Sequence, residues 1–190
     1  MEHDPYRILR PLTEGAVALA LAQLLDSLVI PLPAVGPLSL GPLPVLVYAV
    51  RWGIGPGAIL GAVWGLLGIL LRWDRSVPWQ LLLTEELLPA AVLGTAGLFR
   101  GKRHGVLCGA AFGGVLRAAC RAFAGIRWRA DEVPERFFNF TALSPEAYYP
   151  IREALRTSVN LVIWLALLAL LELPLRKFFM AQDLLNRNEE

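Results

Sequence analysis

The sequence predicts an all-α, polytopic membrane protein with six transmembrane helices. Hydrophobic residues make up 56% of the 190 residues and the mean hydropathy is +0.52, values too high for an ordinary soluble domain of this length. The apolar residues fall into six runs that proline, glycine or charged residues separate. The basic residues of the short connections also alternate along the chain, as expected for repeated crossings of a bilayer. We therefore expect one membrane domain over residues 1–190.

The first three helices are predicted at residues 12–30, 43–52 and 57–71. The first ends where PLPAVGPLSLGPLP supplies several prolines, because proline fixes φ and lacks a backbone donor. The second is shorter than the roughly 20 residues of a complete span, so we expect it to tilt or to begin in the preceding loop. The third carries Gly57, Gly61 and Gly65 at a spacing of four, which predicts a face where a neighbouring helix packs closely.

The last three helices are predicted at residues 79–99, 105–125 and 151–173. A polar connection at 126–150, rich in arginine, acidic and aromatic residues, separates the last two and is expected to act as an external lid. Pro174 is expected to end the sixth helix and to begin a charged tail at 174–190.

The distribution of basic residues predicts the orientation of the chain in the membrane. With six alternating helices, one side receives Arg7, Arg10, Arg51, Arg100, Lys102, Arg103, Arg176 and Lys177. The opposite side receives an uncharged first loop, a short second loop with two arginines and one aspartate, and a long connection in which acidic residues outnumber basic ones. Because basic residues stay in the cytoplasm, both termini are expected to be cytoplasmic.

The fourth helix, within LLLTEELLPAAVLGTAGLF, carries two adjacent carboxylates, Glu85 and Glu86. A carboxylate inside a membrane is expensive, so it normally faces the protein interior and has a partner. Neighbours on a helix are about 100° apart, and we expect one glutamate to face the bundle and the other to lie nearer its rim. Candidate partners are Arg117, Arg121 and Arg152. On charge alone, a binding site and an ion-pair network that only orders the helices are equally good explanations.

Aromatic residues cluster toward the predicted external side. They are Trp64, Trp73, Trp79, Trp128, Tyr148 and Tyr149. Most fit the aromatic belt at a membrane interface. A carboxylate beside several aromatic faces would also suit a flat organic cation, through charge pairing and cation–π contact.

Several other functions find no support in the sequence. The pair EE resembles CAAX-type intramembrane proteases, whose EExxxR motif is followed by histidines in later helices, but Ala90 stands four residues after Glu86 and the histidines are His3 and His104. Ligands for a metal are too few, and no glycine-rich phosphate loop ends in Lys-Ser or Lys-Thr. We therefore expect no catalytic residue, no metal, no cofactor and no nucleic-acid partner.

Taken together, these motifs resemble the substrate-binding (S) component of energy-coupling factor (ECF) vitamin transporters, and most closely the thiamin-specific family. The first segment, EGAVALALAQLLD, places Ala16 and Ala20 at the AxxxA positions of the family. The segment PLSLGPLPVLVYAVRWGIGPGAILGAVWGLL is similar to the family's first loop and helices two and three, and Trp64 matches a pocket tryptophan. The segment LLLTEELLPAAVLGTAG is similar to LLxEYxxAFxxLGxxG, with Glu85 at the thiamin-pairing glutamate and Glu86 in place of tyrosine.

The second half of the chain continues the resemblance with two departures. Trp128 lies near a further pocket tryptophan, and Tyr148 matches the tyrosine before helix six. Arg121 occupies the family's histidine position and Glu153 falls where the family has asparagine. These two residues could pair with each other across helices five and six, whereas Glu86 is expected to pair with an arginine of helix five.

The resemblance implies an importer subunit in the plasma membrane of a prokaryote. It would capture thiamin or a related vitamin or precursor outside the cell and deliver it with a transmembrane coupling protein and two ATPase subunits. Glu85 would meet the ligand's charge with Glu86 beside it, Trp64, Trp128 and Tyr148 would stack on the ligand, Arg121 and Glu153 would set polar selectivity, and Ala16 and Ala20 would contact the coupling protein. The alternatives are a different small vitamin, a phosphorylated ligand, a structural or assembly protein, and an intramembrane enzyme.

Overall fold

The structure is a computed structural model and describes residues 6–28, 30–32, 36–71, 78–102, 104–134, 136–137, 140–141 and 143–187. Within these ranges the chain forms six helices: α1 (Tyr6–Ser27), α2 (Pro42–Trp52), α3 (Ile54–Leu71), α4 (Trp79–Phe99), α5 (Gly105–Trp128) and α6 (Pro145–Arg187). The prediction of an all-α bundle with six helices is confirmed. Three residues named above, His3, Trp73 and Arg103, lie outside the described residues.

A single residue, Gly53, joins α2 to α3. Helix α2 begins at Pro42. Proline suits the first turn of a helix, because backbone N–H groups at this position make no hydrogen bond within the helix and none is therefore lost. The helix ends at Gly53, whose φ of 98° is a conformation that glycine adopts easily. The N–H of Gly53 donates to the carbonyl of Ala49 at 2.8 Å. This tight turn lets α3 begin at Ile54, three residues before the predicted start.

Helix α4 changes its winding along its length. An α-helical turn at Trp79–Leu82 is followed by a π-helical turn at Leu83–Leu87, in which hydrogen bonds span five residues. The helix returns to α geometry at Leu88–Val92 and ends as a 3₁₀ helix at Leu93–Phe99. The π turn contains both glutamates that the sequence singled out.

Glycines allow α3 and α4 to pack closely, as the spacing in α3 predicts. A Cβ atom on Gly61 would lie 2.2 Å from the carbonyl oxygen of Ala90, and one on Gly94 would lie 2.2 Å from the backbone nitrogen of Ala58. Both distances are impossible for a real side chain, so each helix presents glycine where it meets the other. The predicted packing role of the glycine ladder is confirmed.

The ends of α5 and α6 differ from the predicted ones. Helix α5 continues to Trp128, and α6 begins at Pro145, where proline again occupies the first turn. The connection therefore shortens to residues 129–144. The sixth helix does not end before Pro174 but continues to Arg187. One proline removes one backbone hydrogen bond, and the Leu, Arg, Lys and Met residues that follow favour helix.

Four of the described helices are long and apolar enough to cross a membrane: Ile54–Leu71, Trp79–Phe99, Gly105–Trp128 and Pro145–Glu172. Helix α2 has 11 residues, about half of what a complete span needs. It lies in the core instead, where Val45, Leu46 and Ala49 are fully buried. The prediction of a polytopic membrane protein is thus supported by the described helices.

In the described part of the chain, two short antiparallel hairpins occupy connections at one end of the bundle. Strand β1 (Ile30–Leu32) pairs with β2 (Gly36–Leu38) between α1 and α2. Strand β3 (Arg136–Phe137) pairs with β4 (Phe140–Thr141) between α5 and α6. This hairpin end also contains the start of α4, and it is the end that the charge distribution predicts to be external.

Candidate ligand-binding cavity

A polar cavity of about 210 Å³ lies at the hairpin end of the bundle. Five helices and the residues around β2 contribute its lining, which consists of Asp26, Pro37, Leu38, Ser39, Trp64, Glu85, Glu86, Arg117, Arg121, Arg129, Arg152, Glu153 and Arg156. Five of the residues that the sequence predicts for binding are therefore brought together, namely Trp64, Glu85, Glu86, Arg121 and Glu153.

Both adjacent glutamates line the cavity, although we expected one of them to lie nearer the rim of the bundle. The turn that carries them is a π turn, and its neighbouring residues still point in different directions, with Glu85 meeting Arg129 and Glu86 meeting Arg121. Glu85 and Glu86 also have long side chains, which can converge from neighbouring positions. The two carboxylates therefore belong to one site.

Arg121 of α5 holds this turn of α4 in place. Pro89 has no N–H to offer the carbonyl of Glu85 four residues earlier. Arg121 supplies a donor instead, because its Nε atom donates to that carbonyl oxygen at 3.1 Å. Its Nη2 atom also donates to Oε1 of Glu86 at 3.2 Å. The expected partnership of Glu86 with an arginine of helix five is thus present.

Ion pairs connect the other carboxylates to arginines. Nη2 of Arg129 lies 3.0 Å from Oε2 of Glu85. Nη1 of Arg156 lies 3.8 Å from Oε1 of Glu153, one helical turn away on α6. Since Arg121 faces Glu86, the pairing between Arg121 and Glu153 that the sequence suggested is not the arrangement in the structure.

Trp64 and Arg117 form one wall of the cavity. Trp64 is 4% exposed, and the guanidinium carbon of Arg117 lies 5.3 Å from the centre of its ring. A Cβ atom on Gly41 would lie 2.6 Å from Trp64, so the absence of a side chain at position 41 makes room for the indole. The Nη1 atom of Arg117 is buried and has no hydrogen-bond partner among the described residues.

The segment after β2 closes part of the cavity and is tied to two helices. The hydroxyl of Ser39 donates to Oδ1 of Asp26 at 2.7 Å. The backbone N–H of Ser39 donates to Oδ1 of Asn160 at 3.1 Å, and Nε1 of Trp164 donates to the Ser39 carbonyl at 2.9 Å. The first loop is therefore fixed across the opening by α1 and α6.

Trp128 and Tyr148, which the resemblance assigned to the site, lie outside this cavity. Trp128 is 41% exposed, and the guanidinium of Arg127 lies 5.1 Å from its ring centre. Tyr148 is buried with its ring edge-on to Phe137, at 5.1 Å between centroids, and to Tyr149, at 5.0 Å. Tyr148 thus contributes to the packing of β3 against the start of α6.

Ala16 and Ala20 lie on an exposed face of α1, whereas Asp26 near the end of the same helix is buried. Next to this face, a larger groove of about 520 Å³ runs between α1, α2 and α6 and is lined mostly by aliphatic side chains. Its charged residues, Glu14 and Arg51, bind each other, with Nη2 of Arg51 donating at 2.8 Å. Such a groove has few free polar groups to orient a polar ligand, so the polar cavity is the candidate site.

Sequence reasoning missed several lining residues or gave them no role in binding. They are Asp26, Ser39, Arg129 and Arg156. A signal for Arg156 was present, because it follows Arg152 by four residues and therefore shares its helix face. Asp26 was visible as the lone acidic residue near the end of the first apolar run. Ser39 and Arg129 belong to connections, whose positions the sequence pattern does not determine.

Comparison with known proteins agrees with this architecture. Residues 12–179 match the family model described as thiamine transporter protein (Thia_YuaJ). The fold is similar to that of ThiT from Listeria monocytogenes, with a TM-score of 0.79, 19% sequence identity, and coverage of 91% of this chain and 98% of that chain. No curated protein sequence matches the chain. At 19% identity the structural similarity shows the fold alone. The family assignment rests on the family model, which matches most of the sequence. The chain therefore belongs to the thiamine transporter protein family.

Proposed function

We propose that this protein is the substrate-binding (S) component of an ECF-type importer that captures thiamin or a closely related compound. The observation that carries the proposal is the polar cavity, which lies within the 12–179 segment that matches the thiamine transporter family. Small-molecule sites are concave and carry a few convergent polar groups. The cavity is concave but more highly charged than most such sites, and it combines carboxylates and arginines with a buried tryptophan.

The chemistry of thiamin fits two of the lining residues. Its thiazolium ring is a flat, permanent cation, which a carboxylate attracts and an indole face stabilises. Glu85 and Trp64 both line the cavity. We infer that Glu85 is the counter-ion of the ring and that Trp64 provides the apolar wall.

In this proposal, other protein subunits supply the energy that delivers the bound compound to the cytoplasm. The sequence contains no glycine-rich loop for nucleotide phosphates, so the energy would come from two ATPase subunits through a transmembrane coupling protein. Ala16 and Ala20 support this role because they are exposed on α1, and small residues four apart let a second helix approach closely. No catalytic role is proposed for any residue.

The proposed orientation places the cavity outside and both termini in the cytoplasm of a prokaryotic cell. The basic residues support it, because Arg51 lies in the last turn of α2, and Arg100 and Lys102 follow the end of α4, all at the end opposite the cavity. The substrate would therefore enter from the side of the hairpins.

Titration of the purified chain with thiamin, followed by tryptophan fluorescence, tests the proposal. Trp64 lines the cavity, so we expect a saturable change in emission that is much reduced in the Trp64→Phe variant. Binding without any chemical change in recovered thiamin would separate a transport subunit from an intramembrane enzyme. If neither thiamin, its phosphates nor its pyrimidine precursor binds, the charged residues only order the bundle and the proposal is wrong.

A further inference from the structure

The cavity contains more cationic than anionic groups. Among the described residues, its lining includes the guanidiniums of Arg117, Arg121, Arg129, Arg152 and Arg156 and the carboxylates of Asp26, Glu85, Glu86 and Glu153. With all of them ionised, five positive charges face four negative ones. A ligand with a single positive charge would increase this excess, although uncompensated charge is costly away from water.

Most of the carboxylates already have a cation beside them. Three contacts use a different arginine each: Glu85 with Arg129 at 3.0 Å, Glu86 with Arg121 at 3.2 Å, and Glu153 with Arg156 at 3.8 Å. The lining is therefore built largely from internally matched pairs. The charged lining residues outside these three pairs are Arg117, Arg152 and Asp26, which leaves one positive charge in excess.

Arg117 and Arg152 are the two arginines of the lining that make no hydrogen bond or ion pair within the part of the chain that the structure describes. Arg117 rests on Trp64 at 5.3 Å, and its buried Nη1 atom lacks a hydrogen-bond partner among those residues. Arg152 is partly buried on α6, one turn before Arg156. A buried guanidinium atom without a partner is unfavourable, and a ligand oxygen would satisfy it.

Like charges also crowd together on this wall. Arg117 is repelled by Arg121 and Arg156 and attracted by Glu86 and Asp26. Arg156 is repelled by Arg121 and Arg152 and attracted by Glu153 and Glu86. Such repulsion opposes folding in the absence of an anion, because the surroundings screen it poorly. The chain keeps the arginines nevertheless, which points to an anionic group in the ligand.

We propose that the preferred ligand is a phosphate ester of thiamin, in which one molecule carries both the cationic ring and an anion. This inference rests on the proposed function. The phosphate group would bind Arg117 and Arg152, with Arg156 nearby, while the ring faces Glu85. A phosphate suits these residues better than a carboxylate because it carries up to two charges and three oxygens that guanidiniums bind in a bidentate way.

The same chemistry, a cation joined to a phosphate, occurs in the phosphocholine headgroup of a lipid. The experiment must therefore separate a soluble ester from a lipid. The full chain in detergent is titrated with thiamin, thiamin monophosphate, phosphocholine and inorganic phosphate, with heat or tryptophan fluorescence as the readout. We expect thiamin monophosphate to bind at least about tenfold more tightly than thiamin, and phosphocholine at least about tenfold more weakly than the ester.

Three results would overturn the inference, each with a different meaning. Equal or tighter binding of thiamin would remove the phosphate preference and leave the proposed function intact. Binding of phosphocholine as tight as that of the ester would assign the cavity to a lipid headgroup. A lack of binding by both thiamin and its ester would contradict the proposed function as well.

Variants then test the residues. Arg152→Gln should lower the affinity for the ester by at least about tenfold, whereas the affinity for thiamin should change by less than about threefold. Arg127→Gln is the matched control, because Arg127 is exposed at the same end of the bundle and does not line the cavity, and it should leave both affinities unchanged. Arg152→Lys keeps the charge but loses the bidentate geometry, so it should retain part of the preference for the ester. Equal weakening of both ligands in the glutamine and lysine variants would overturn the assignment.

Discussion

Arg121 of α5 donates from Nε to the main-chain carbonyl oxygen of Glu85 in α4, at 3.1 Å. This carbonyl has no i+4 donor because Pro89 lacks an N–H. The same guanidinium reaches the Glu86 carboxylate at 3.2 Å. One side chain therefore fixes the backbone of the π turn and one of its two carboxylates. We interpret Arg121 as a positioning residue for the glutamates rather than as a selector of the ligand.

This relationship predicts coupling between Arg121 and Pro89. Lysine cannot donate to the Glu85 carbonyl and the Glu86 carboxylate with the planar geometry of a guanidinium. Arg121→Lys should therefore lower the free energy of unfolding by about 1–3 kcal/mol, the cost of leaving a partly buried polar group unpaired. In a Pro89→Ala background the new N–H can serve the carbonyl, and the same change should cost about 1 kcal/mol less. Thermal unfolding in detergent of the wild type, both single variants and the double variant measures the difference. An identical cost in the two backgrounds would show that the carbonyl contact contributes nothing.

Removal of one carboxylate at a time separates the roles of the two glutamates. Glu85→Gln should weaken the binding of thiamin by more than about 1.4 kcal/mol, a tenfold change in affinity, because the substitution removes the proposed counter-ion of the ring. Glu86→Gln should have a smaller effect on thiamin binding, because Glu86 is not the proposed counter-ion of the ring. Isothermal titration with thiamin measures both affinities. Glu146→Gln, at an exposed position near the start of α6, is the control for a general loss of negative charge. A larger effect of Glu86→Gln on thiamin binding would show that Glu86, and not Glu85, is the counter-ion of the ring.

The glycine ladder of α3 contains its own control. Gly61→Ala should destabilise the protein by about 1–3 kcal/mol, because the new Cβ would lie 2.2 Å from the Ala90 carbonyl oxygen and force the helices apart. At Gly68, where a Cβ meets nothing within 4 Å, alanine should be neutral or should stabilise the helix by about 0.5–1 kcal/mol. Thermal unfolding of the two variants in the same detergent tests the pair. If both variants lose stability equally, helix packing is not the reason for glycine at position 61.

The helices and the charged part of the site could be predicted because both depend on local patterns. Apolar runs of membrane length indicate helices directly, and two glutamates inside such a run are expensive enough to indicate a site. The glycine spacing of α3 is equally local. The expectation that one of Glu85 and Glu86 lies apart from the site was wrong, because two long neighbouring side chains can line the same cavity while each meets a different arginine.

The remaining part of the site depends on contacts between distant residues. Ser39 reaches the cavity because Asp26, Asn160 and Trp164 bind it, and the last two lie more than a hundred positions away in the chain. Arg129 follows the end of α5, so its direction depends on where that helix ends. The sequence placed this end at residue 125, and the extra turn to Trp128 is what brings Arg129 to Glu85.

The two adjacent tyrosines at the start of α6 give a prediction about this turn. The hydroxyl of Tyr149 donates to the main-chain carbonyl of Arg129 at 2.5 Å, and its ring fills the space that a side chain at Gly125 would occupy. Tyr149→Phe removes the hydrogen bond and keeps the ring, so it should cost about 0.5–1.5 kcal/mol of stability. Because Arg129 then holds Glu85 less firmly, the affinity for the ligand should also change.

Tyr148→Phe is the matched control for this substitution. Tyr148 is buried by its contacts with Phe137 and Tyr149, and its hydroxyl donates no hydrogen bond to the residues that the structure describes. Loss of that hydroxyl should therefore change stability by less than about 0.5 kcal/mol. Thermal unfolding and ligand titration of both variants compare two chemically identical changes at neighbouring positions. A larger effect at Tyr148 on binding alone would show that its hydroxyl meets the ligand, and would restore the role that the family resemblance gave it. A larger effect at Tyr149 on both measurements would show that the end of α5 controls the geometry of the Glu85 site.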